Sequence, residues 1–243
     1  MTTSSLARIL IVGGSSGIGL ATAALALDRG AAVVIAGRSR ERLDAAASSL
    51  PRAARLRTVT ADVGREEDVV RLFEEAGSLD HVVVCAADVA GAYAPLPRLD
   101  AERALALLAV KVLGAVLVAK HAAGQMRPGG SLVLTSGVAA ERPIAGGSIV
   151  CAANGALHAL VRALAIELAP LRVNAVSPGW IDTPIWDVLD AAGKPARFAA
   201  MAANLPAGRI GQPGDVAAAI LSLTTTPHVT GAVLPVDGGQ LFA

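Results

Sequence analysis

Short apolar runs of strand length alternate with longer helical patterns along the whole chain of 243 residues. The predicted strands lie at residues 8–12, 31–36, 57–60, 81–85, 131–135, 172–176 and 232–236. The predicted helices lie at residues 17–29, 41–50, 66–76, 101–126, 149–169 and 213–223. Several strands are apolar almost throughout, which is typical of parallel strands that helices cover on both faces. The alternation predicts one α/β domain, residues 1–243, with a doubly wound parallel sheet of about seven strands.

One long segment departs from this alternation. Residues 180–211 are the longest stretch without a predicted strand, and they hold both tryptophans of the chain and a phenylalanine. The segment follows the carboxyl end of a predicted strand, where open α/β sheets bind their ligands. We expect an irregular lid over a substrate pocket, with a plain surface excursion as the alternative.

The composition limits the classes of partner. Hydrophobic residues make up 53% of the chain and aromatic residues 2%, so the core must consist mainly of alanine, valine and leucine. The net charge is +1 with both signs mixed along the chain, whereas a nucleic-acid-binding face shows as a basic stripe. Mean hydropathy is +0.56, but glycine, asparagine or proline interrupts the longest charge-free runs, 143–161 and 216–236. We expect neither a nucleic-acid partner nor a membrane-spanning helix.

The N-terminus and the cysteines favour a cytoplasmic protein. The N-terminus leads straight into the first predicted strand and lacks the pattern of a signal peptide. Cys85 and Cys151 lie far apart without metal-ligand spacing, so buried reduced thiols are the simplest interpretation. We therefore expect a soluble, cytoplasmic protein with no metal site.

The turn after the first predicted strand reads GGSSGIG, residues 13–19. Gly13 permits a tight turn, and Gly17 and Gly19 let the backbone and the next helix approach a pyrophosphate. Free N–H groups and the helix dipole favour an anion at that helix N-terminus. Because the pattern lies between a strand and a helix, it indicates a Rossmann-type dinucleotide site. The residues assigned to this site are Gly13, Ser15, Ser16, Gly17, Ile18 and Gly19.

The end of the second predicted strand bears on the choice of cofactor. Gly37 stands where a site for NAD(H) places an acidic residue against the ribose hydroxyls, and Arg38 follows it. No carboxylate at this position repels a 2′-phosphate, and Arg38 is able to pair with one. We expect NADP(H) rather than NAD(H), with an ordinary solvated arginine as the alternative.

Together with three further motifs, the glycine turn resembles the short-chain dehydrogenase/reductase family over almost the whole chain. Ala61-Asp62-Val63 resembles the motif whose aspartate meets the adenine, and Asp237-Gly238-Gly239 resembles the C-terminal signature. The run RVNAVSPG, followed by Thr183, resembles the segment that holds the nicotinamide carboxamide. The glycine turn departs from the family pattern in one place, because Val12 replaces the usual threonine before it. The resemblance implies a nicotinamide cofactor, a small-molecule substrate, and a homo-oligomer, dimer or tetramer, with helices 101–126 and 149–169 at an interface. It adds to the cofactor site Asp62, Val63, Pro178, Gly179 and Thr183.

The resemblance breaks at the family's catalytic positions, which hold asparagine, serine, tyrosine and lysine. Val150 stands at the tyrosine position and Asn154 at the lysine position. The serine position falls at Ser136 or Gly137, and the asparagine position falls at Lys111. At least three of the four positions have therefore changed, which is more than drift at one site.

These changes remove the usual proton donor. Val150 cannot transfer a proton, and a positioned acid is worth ~10²–10⁴-fold in rate, so ordinary ketone reduction should be lost or very slow. A Lys111 ammonium that enters the same cavity with a lowered pKa would replace the donor or stabilise developing negative charge. The alternative is a lysine that reaches solvent or pairs with a carboxylate. Ser136 orients a substrate oxygen or only caps a strand, and with Asn154 it completes the candidate catalytic set.

Three functions remain open at this point. The leading hypothesis is an NADP(H)-dependent reductase with altered proton delivery, suited to a polarised C=C bond or an activated imine. The others are a non-redox enzyme for isomerisation, elimination or ring formation, and a cofactor-binding partner or sensor without chemistry. Lys111 pointing into a dry pocket favours the first two, and Lys111 turned to solvent favours the third. Other polar or aromatic residues are candidates for lining the pocket, with surface or packing roles expected rather than catalytic ones: Asp88, Tyr93, Glu141, Arg142, His158, Trp180, Asp182 and Trp186.

Overall fold

The protein is built around a parallel sheet. The structure is a computed structural model, and it describes residues 7–51 and 53–243. The sheet has seven strands in the order β3-β2-β1-β4-β5-β6-β7. This confirms the predicted doubly wound architecture. The prediction for the N-terminus concerns residues 1–6, which lie outside the described residues. The strands are β1 Arg8–Val12, β2 Ala32–Gly37, β3 Leu56–Thr60, β4 Leu79–Val84, β5 Met126–Thr135, β6 Arg172–Pro178 and β7 Val233–Val236.

Helices cover both faces of the sheet. Along β1, Leu10 belongs to the apolar cluster on one face and Ile11 to the cluster on the other, as expected for alternating side chains in a strand buried on both sides. Aliphatic side chains and alanines dominate both clusters, as the composition predicts. The helices are α1 Gly17–Asp28, α2 Arg40–Ser49, α3 Glu66–Ala76, α4 Ala101–Leu108, α5 Gly114–Ala122, α6 Ser148–Glu167, α7 Ile185–Asp190, α8 Lys194–Asn204 and α9 Pro213–Thr225.

A π-helical turn, Ala109–Leu113, joins α4 to α5 within the region predicted as one helix. Such a turn inserts an extra residue into the helix and is frequent at functional sites. The combined helix Ala101–Ala122 and α6 are long and apolar enough, by length and composition, to cross a membrane. Both contribute buried residues to one face of the core, among them Val118 and Val161.

The segment 180–211 is not irregular as predicted, because it contains α7 and α8. The alanine-rich sequence of α8, with a proline in its first turn, suits a helix, although none of its residues is buried in the core. A parallel β-bridge between Ile181 and Gly211 closes the base of the segment. The segment is therefore a small helical layer beside the carboxyl ends of β5 and β6.

Candidate active site

A groove of about 410 Å³ lies across the carboxyl ends of β1 to β4. The order of the strands reverses between β1 and β4, which is where open α/β sheets bind nucleotides. Ten of the predicted cofactor residues line this groove: Gly13, Ser15, Ser16, Gly17, Ile18, Gly19, Arg38, Asp62, Val63 and Thr183.

The glycine turn fits a pyrophosphate by its backbone geometry. Gly13 has a φ of +81°, and a Cβ there would lie 2.7 Å from the backbone nitrogen of Ala86. A Cβ on Gly19 would collide with the carbonyl oxygen of Gly13. Ser16 is the N-cap of α1, yet its side chain makes no capping hydrogen bond. The first N–H groups of α1 thus lack a side-chain acceptor at the N-cap, and a phosphate oxygen fits that place.

Two arginines lie at the far end of the groove. Arg38 pairs with Asp88 across the groove, with 2.9 Å between Nη2 and Oδ2. Arg42 also lines the groove, and its Nη2 donates a hydrogen bond of 3.1 Å to Ser16 Oγ. Two guanidinium groups at one end suit a ribose 2′-phosphate. The sequence analysis assigned Arg38 to the cofactor and gave Arg42 no role, since contacts between separate βα turns leave no local pattern.

A second cavity, of about 180 Å³, adjoins the groove. Ile18, Cys85, Ala87 and Thr183 line both spaces. The remaining predicted cofactor residues, Pro178 and Gly179, line the cavity, as Thr183 does. A nicotinamide ring at the end of the groove would therefore face the cavity, which makes the cavity the candidate substrate pocket.

Lys111 points into this cavity from the π-helical turn. The residue is buried, and its Nζ donates hydrogen bonds to the backbone oxygens of Thr135, at 3.1 Å, and Ser136, at 3.4 Å. Burial lowers the pKa of Lys111 from 10.5 to about 8, while the neighbouring Cys85 acts weakly in the opposite direction. Lys111 neither reaches solvent nor pairs with a carboxylate among the described residues. Of the two orientations considered from the sequence, the inward one is observed.

Ser136 and Asn154, the other two candidate catalytic residues, lie together in the cavity wall. The Ser136 hydroxyl donates a hydrogen bond of 3.1 Å to the backbone oxygen of Asn154, so it is held by α6. The buried side-chain Oδ1 of Asn154 has no hydrogen-bond partner among the described residues. Gly137 lies against the same amide, since a Cβ there would be 3.0 Å from Asn154 Nδ2. The asparagine side chain is thus able to accept a hydrogen bond from a ligand.

Apolar and aromatic side chains form the rest of the cavity. Val150, which the sequence resemblance places at the tyrosine position, is buried and lines the wall. Trp180 and Trp186 stack with ring centroids 4.5 Å apart, and Tyr93 lies 6.4 Å from Trp186. All three aromatic residues line the cavity, although surface or packing roles were expected for them. A protein with 2% aromatic residues has therefore gathered three of them around one small space.

Two further lining residues were missed or set aside. Gln240 lies next to the C-terminal signature, and its buried Oε1 has no partner among the described residues. Arg142, a candidate for the pocket lining without an expected catalytic role, is exposed and lines the mouth of the cavity. His158 stays outside the lining, buried one turn after Asn154, with Nδ1 3.6 Å from Glu141.

Comparisons with known proteins agree with this architecture. The chain matches the family model described as enoyl-(acyl carrier protein) reductase over residues 12–240. It is 40% identical to the cis-4-hydroxycyclohexanecarboxylate dehydrogenase of Sinomonas cyclohexanicum over 242 residues, 95% of this chain and 94% of the relative. The MalC reductase/Diels-Alderase from Malbranchea aurantiaca has a TM-score of 0.91 at 32% identity, covering 98% of this chain and 97% of that chain. A small-chain dehydrogenase in complex with NADPH has a TM-score of 0.81 at 30% identity, covering 98% and 100%.

Proposed function

This chain belongs to the short-chain dehydrogenase/reductase family, and on that basis we propose that it is an NADP(H)-dependent reductase of a small organic substrate with an atypical route of proton delivery. The fold, the groove and the relatives support an oxidoreductase. The observation that carries the finer proposal is the position of Lys111, buried in a cavity that adjoins the nucleotide groove. The sequence resemblance leaves neither a tyrosine nor a lysine at the usual catalytic positions, and Lys111 is the buried cation among the described residues that line the cavity.

NADP(H) fits the groove through its phosphates. The backbone of residues 13–19 would hold the pyrophosphate, and Arg38 with Arg42 would hold the 2′-phosphate. When bound, the cofactor supplies hydride to the substrate. The NADPH complex of a relative with the same fold supports this choice of cofactor.

The chain supplies the remaining parts of the reaction. At neutral pH Lys111 is mostly protonated, since its pKa is about 8. Its backbone acceptors, the carbonyls of Thr135 and Ser136, occupy two of the three N–H groups of the ammonium. The third N–H is free to donate a proton or to stabilise negative charge on the acceptor atom of the substrate. Asn154 Oδ1 is available for a hydroxyl or amide N–H of the ligand.

The substrate is one that needs less acid assistance than a simple ketone. A polarised C=C bond places its developing charge on an oxygen that an ammonium stabilises well, and an activated neutral imine accepts a proton readily. An imine that already bears a positive charge fits poorly beside a protonated Lys111. Apolar walls and stacked tryptophans favour a compact ring system, and the ring carboxylate in the name of one relative is consistent with that.

A second function receives specific support from the relatives. MalC is described as both a reductase and a Diels-Alderase, and this chain shares its fold closely. A small apolar cavity with one inward cation would also suit ring formation without net redox change, because confinement and charge stabilisation are all that such a reaction requires. The inward orientation of Lys111 gives no support to a sensor without chemistry.

The test is cofactor binding followed by turnover on one purified sample. NADPH and NADH are titrated by fluorescence, and oxidation of the bound nucleotide is then followed with enones, neutral imines and ketones. Tight NADPH binding with turnover of enones or imines, and little with ketones, is the expected result. Product formation without NADPH oxidation would identify the non-redox function instead, and failure to bind either nucleotide would overturn the cofactor assignment.

We also propose that the protein works in the cytoplasm as a homo-oligomer, a dimer or a tetramer. Exposed apolar side chains lie along the helices that the family places at an interface, Leu105, Leu113 and Val116 on the combined helix and Ile166 on α6. Cys85 and Cys151 are both free thiols, in keeping with a reducing compartment. Fractionation of cells of the source organism, with detection by antibody, would contradict the location if the protein sediments with membranes.

A further inference from the structure

The substrate cavity has an unbalanced charge. Two of the described residues that line it bear a formal charge, Lys111 at the buried end and Arg142 at the mouth, and both charges are positive. No aspartate or glutamate is among those lining residues. The whole chain, by contrast, has 21 lysines and arginines against 20 aspartates and glutamates, so the excess of positive charge is a local property of the cavity.

Three aspartates close to the cavity in sequence are held by other groups, and none of the three is available to neutralise the lining cations without first giving up its own contacts. Asp88 pairs with Arg38 at 2.9 Å, Asp182 pairs with Lys194 at 2.8 Å, and Asp237 accepts the backbone N–H groups of Gly239 at 3.0 Å and Leu241 at 2.9 Å. Glu141 is exposed and does not line the cavity, and its Oε1 lies 3.6 Å from His158 Nδ1.

Arg142 is placed to hold an anion. Its backbone N–H donates to the oxygen of Val138 at 2.8 Å, which fixes the start of the side chain at the end of a short 3₁₀ helix, Val138–Ala140. Its guanidinium makes no hydrogen bond or ion pair with any described residue. The residue is exposed and lies beside the exposed, apolar Ile144, which also lines the cavity. A planar guanidinium with free donors at an apolar opening is suited to a carboxylate, which it is able to bind through two parallel hydrogen bonds.

We propose that the natural substrate is an organic carboxylate, an apolar ring compound whose carboxylate pairs with Arg142 while its reacting group lies beside Lys111. The inference rests on the proposed function for the identity of the substrate group that reacts. It adds that the opposite end of the substrate carries a negative charge. The apolar body lies between the two cations, against Val150 and the stacked Trp180 and Trp186. The two cations also attract an anion toward the opening and raise its local concentration.

The two tryptophans make the test direct. The chain has two tryptophans, and both line the cavity, so quenching of intrinsic fluorescence reports ligand entry without any turnover. Cyclohexanecarboxylate and its neutral analogue cyclohexanecarboxamide, both transparent at the excitation wavelength, are titrated at pH 7 with and without saturating NADP⁺. We expect the carboxylate to bind about tenfold more tightly than the amide, the factor typical of one charge-assisted pair at a partly exposed site.

Arg142→Gln should abolish that preference, and Arg142→Lys should restore part of it. Arg57→Gln is the matched control, because Arg57 is an exposed arginine on β3, outside the cavity lining, and its loss should leave the preference unchanged. Equal binding of acid and amide, a preference that survives Arg142→Gln, or quenching by neither compound would each overturn the proposal.

The two proposals fail separately in this design. One outcome is carboxylate binding that depends on Arg142, without NADPH oxidation by any acceptor that bears a carboxylate. This outcome would support the anion site and contradict the reductase function. The other outcome is NADPH-dependent turnover at the same rate with an unsaturated ring carboxylic acid and with its amide. This outcome would support the reductase function and contradict the anion site.

Discussion

The Nζ atom of Lys111 lies 3.1 Å from the backbone oxygen of Thr135, at the carboxyl end of β5. A strand-end carbonyl therefore holds the one buried lysine of the described chain in the wall of the substrate cavity. The contact depends on the π-helical turn Ala109–Leu113, which contains the lysine. This contact supports Lys111 as the proposed proton donor.

Lys111→Met should remove turnover while leaving the nucleotide groove intact. Loss of a positioned acid costs ~10²–10⁴ in rate, so we expect at least a 100-fold fall in single-turnover NADPH oxidation with the best acceptor of the panel. The NADPH dissociation constant should stay within about twofold, because Lys111 is not among the residues that line the groove. Lys120→Met is the control, since Lys120 is exposed on the same helical region and pairs with Glu66. A Lys111→Met enzyme with wild-type turnover would exclude the lysine as the donor.

The pH dependence of turnover should report the same group. In the proposed mechanism the acid form of Lys111 is the active one, and its pKa is about 8, so kcat for reduction should be level near pH 7 and fall about tenfold per pH unit above 8. Pre-steady-state NADPH oxidation between pH 6 and 10 measures this directly. A rate that rises with pH would show that neutral Lys111, acting as a base or nucleophile, is the active form.

Stability should change with pH in the opposite direction. Burial lowers the pKa of Lys111 in the folded state below the ordinary 10.5, so the unfolded chain binds the extra proton more tightly. The penalty for burying the ammonium is present below pH 8 and disappears as pH rises from about 8 to 10.5. Wild type should therefore gain about 3 kcal/mol relative to Lys111→Met across this window. Urea unfolding of both proteins at several pH values tests it, and a constant difference would contradict the buried charge.

Most of the architecture was predictable because parallel strands buried on both faces are continuous apolar runs. The strand 8–12 was placed to the residue, and α3 was placed at the bounds observed. Strand β5 begins at Met126 rather than 131, because polar and glycine residues there still pair with β4 through an irregular register. The alternation or run of apolar residues that predicts a strand gives no signal for such a bulge.

The groove was predictable and the cavity only partly so. Backbone contacts of a glycine turn are local, so Gly13 and Gly19 could be assigned from spacing alone. The orientation of Lys111 and the opening beside Arg142 depend on which segments meet at the edge of the sheet, and no spacing along the chain encodes that. The sequence thus identifies the residues that are able to do chemistry, but only the folded structure shows which of them lie together.

Oligomerisation should depend on the exposed face of the combined helix. Leu105 is 65% exposed and Leu113 is 46% exposed, which is costly for large apolar side chains unless another subunit covers them. Light scattering after gel filtration should give the mass of a dimer or tetramer, and Leu105→Glu with Leu113→Glu should give a smaller species. Val70→Glu is the control, since Val70 is exposed on α3, outside those helices. A monomer at micromolar concentration would contradict the proposal.

Cofactor preference should depend on Arg38 and Arg42 and not on the arginine between them. Arg38 and Arg42 line the groove, whereas Arg40 is outside its lining and pairs with Asp44 at 3.0 Å. Arg38→Gln should weaken NADPH about tenfold and leave NADH nearly unchanged, because only NADPH has the phosphate that the guanidinium would bind.

Adding Arg42→Gln should weaken NADPH further, while Arg40→Gln, the matched control, should change neither nucleotide. Asp88→Asn should tighten NADPH, since it removes the carboxylate that competes with the phosphate for Arg38 at 2.9 Å. Fluorescence titration of both nucleotides across these variants separates the contributions. Equal losses for NADPH and NADH in Arg38→Gln would mean that the arginine supports the groove rather than the 2′-phosphate, and the preference for NADP(H) would fall.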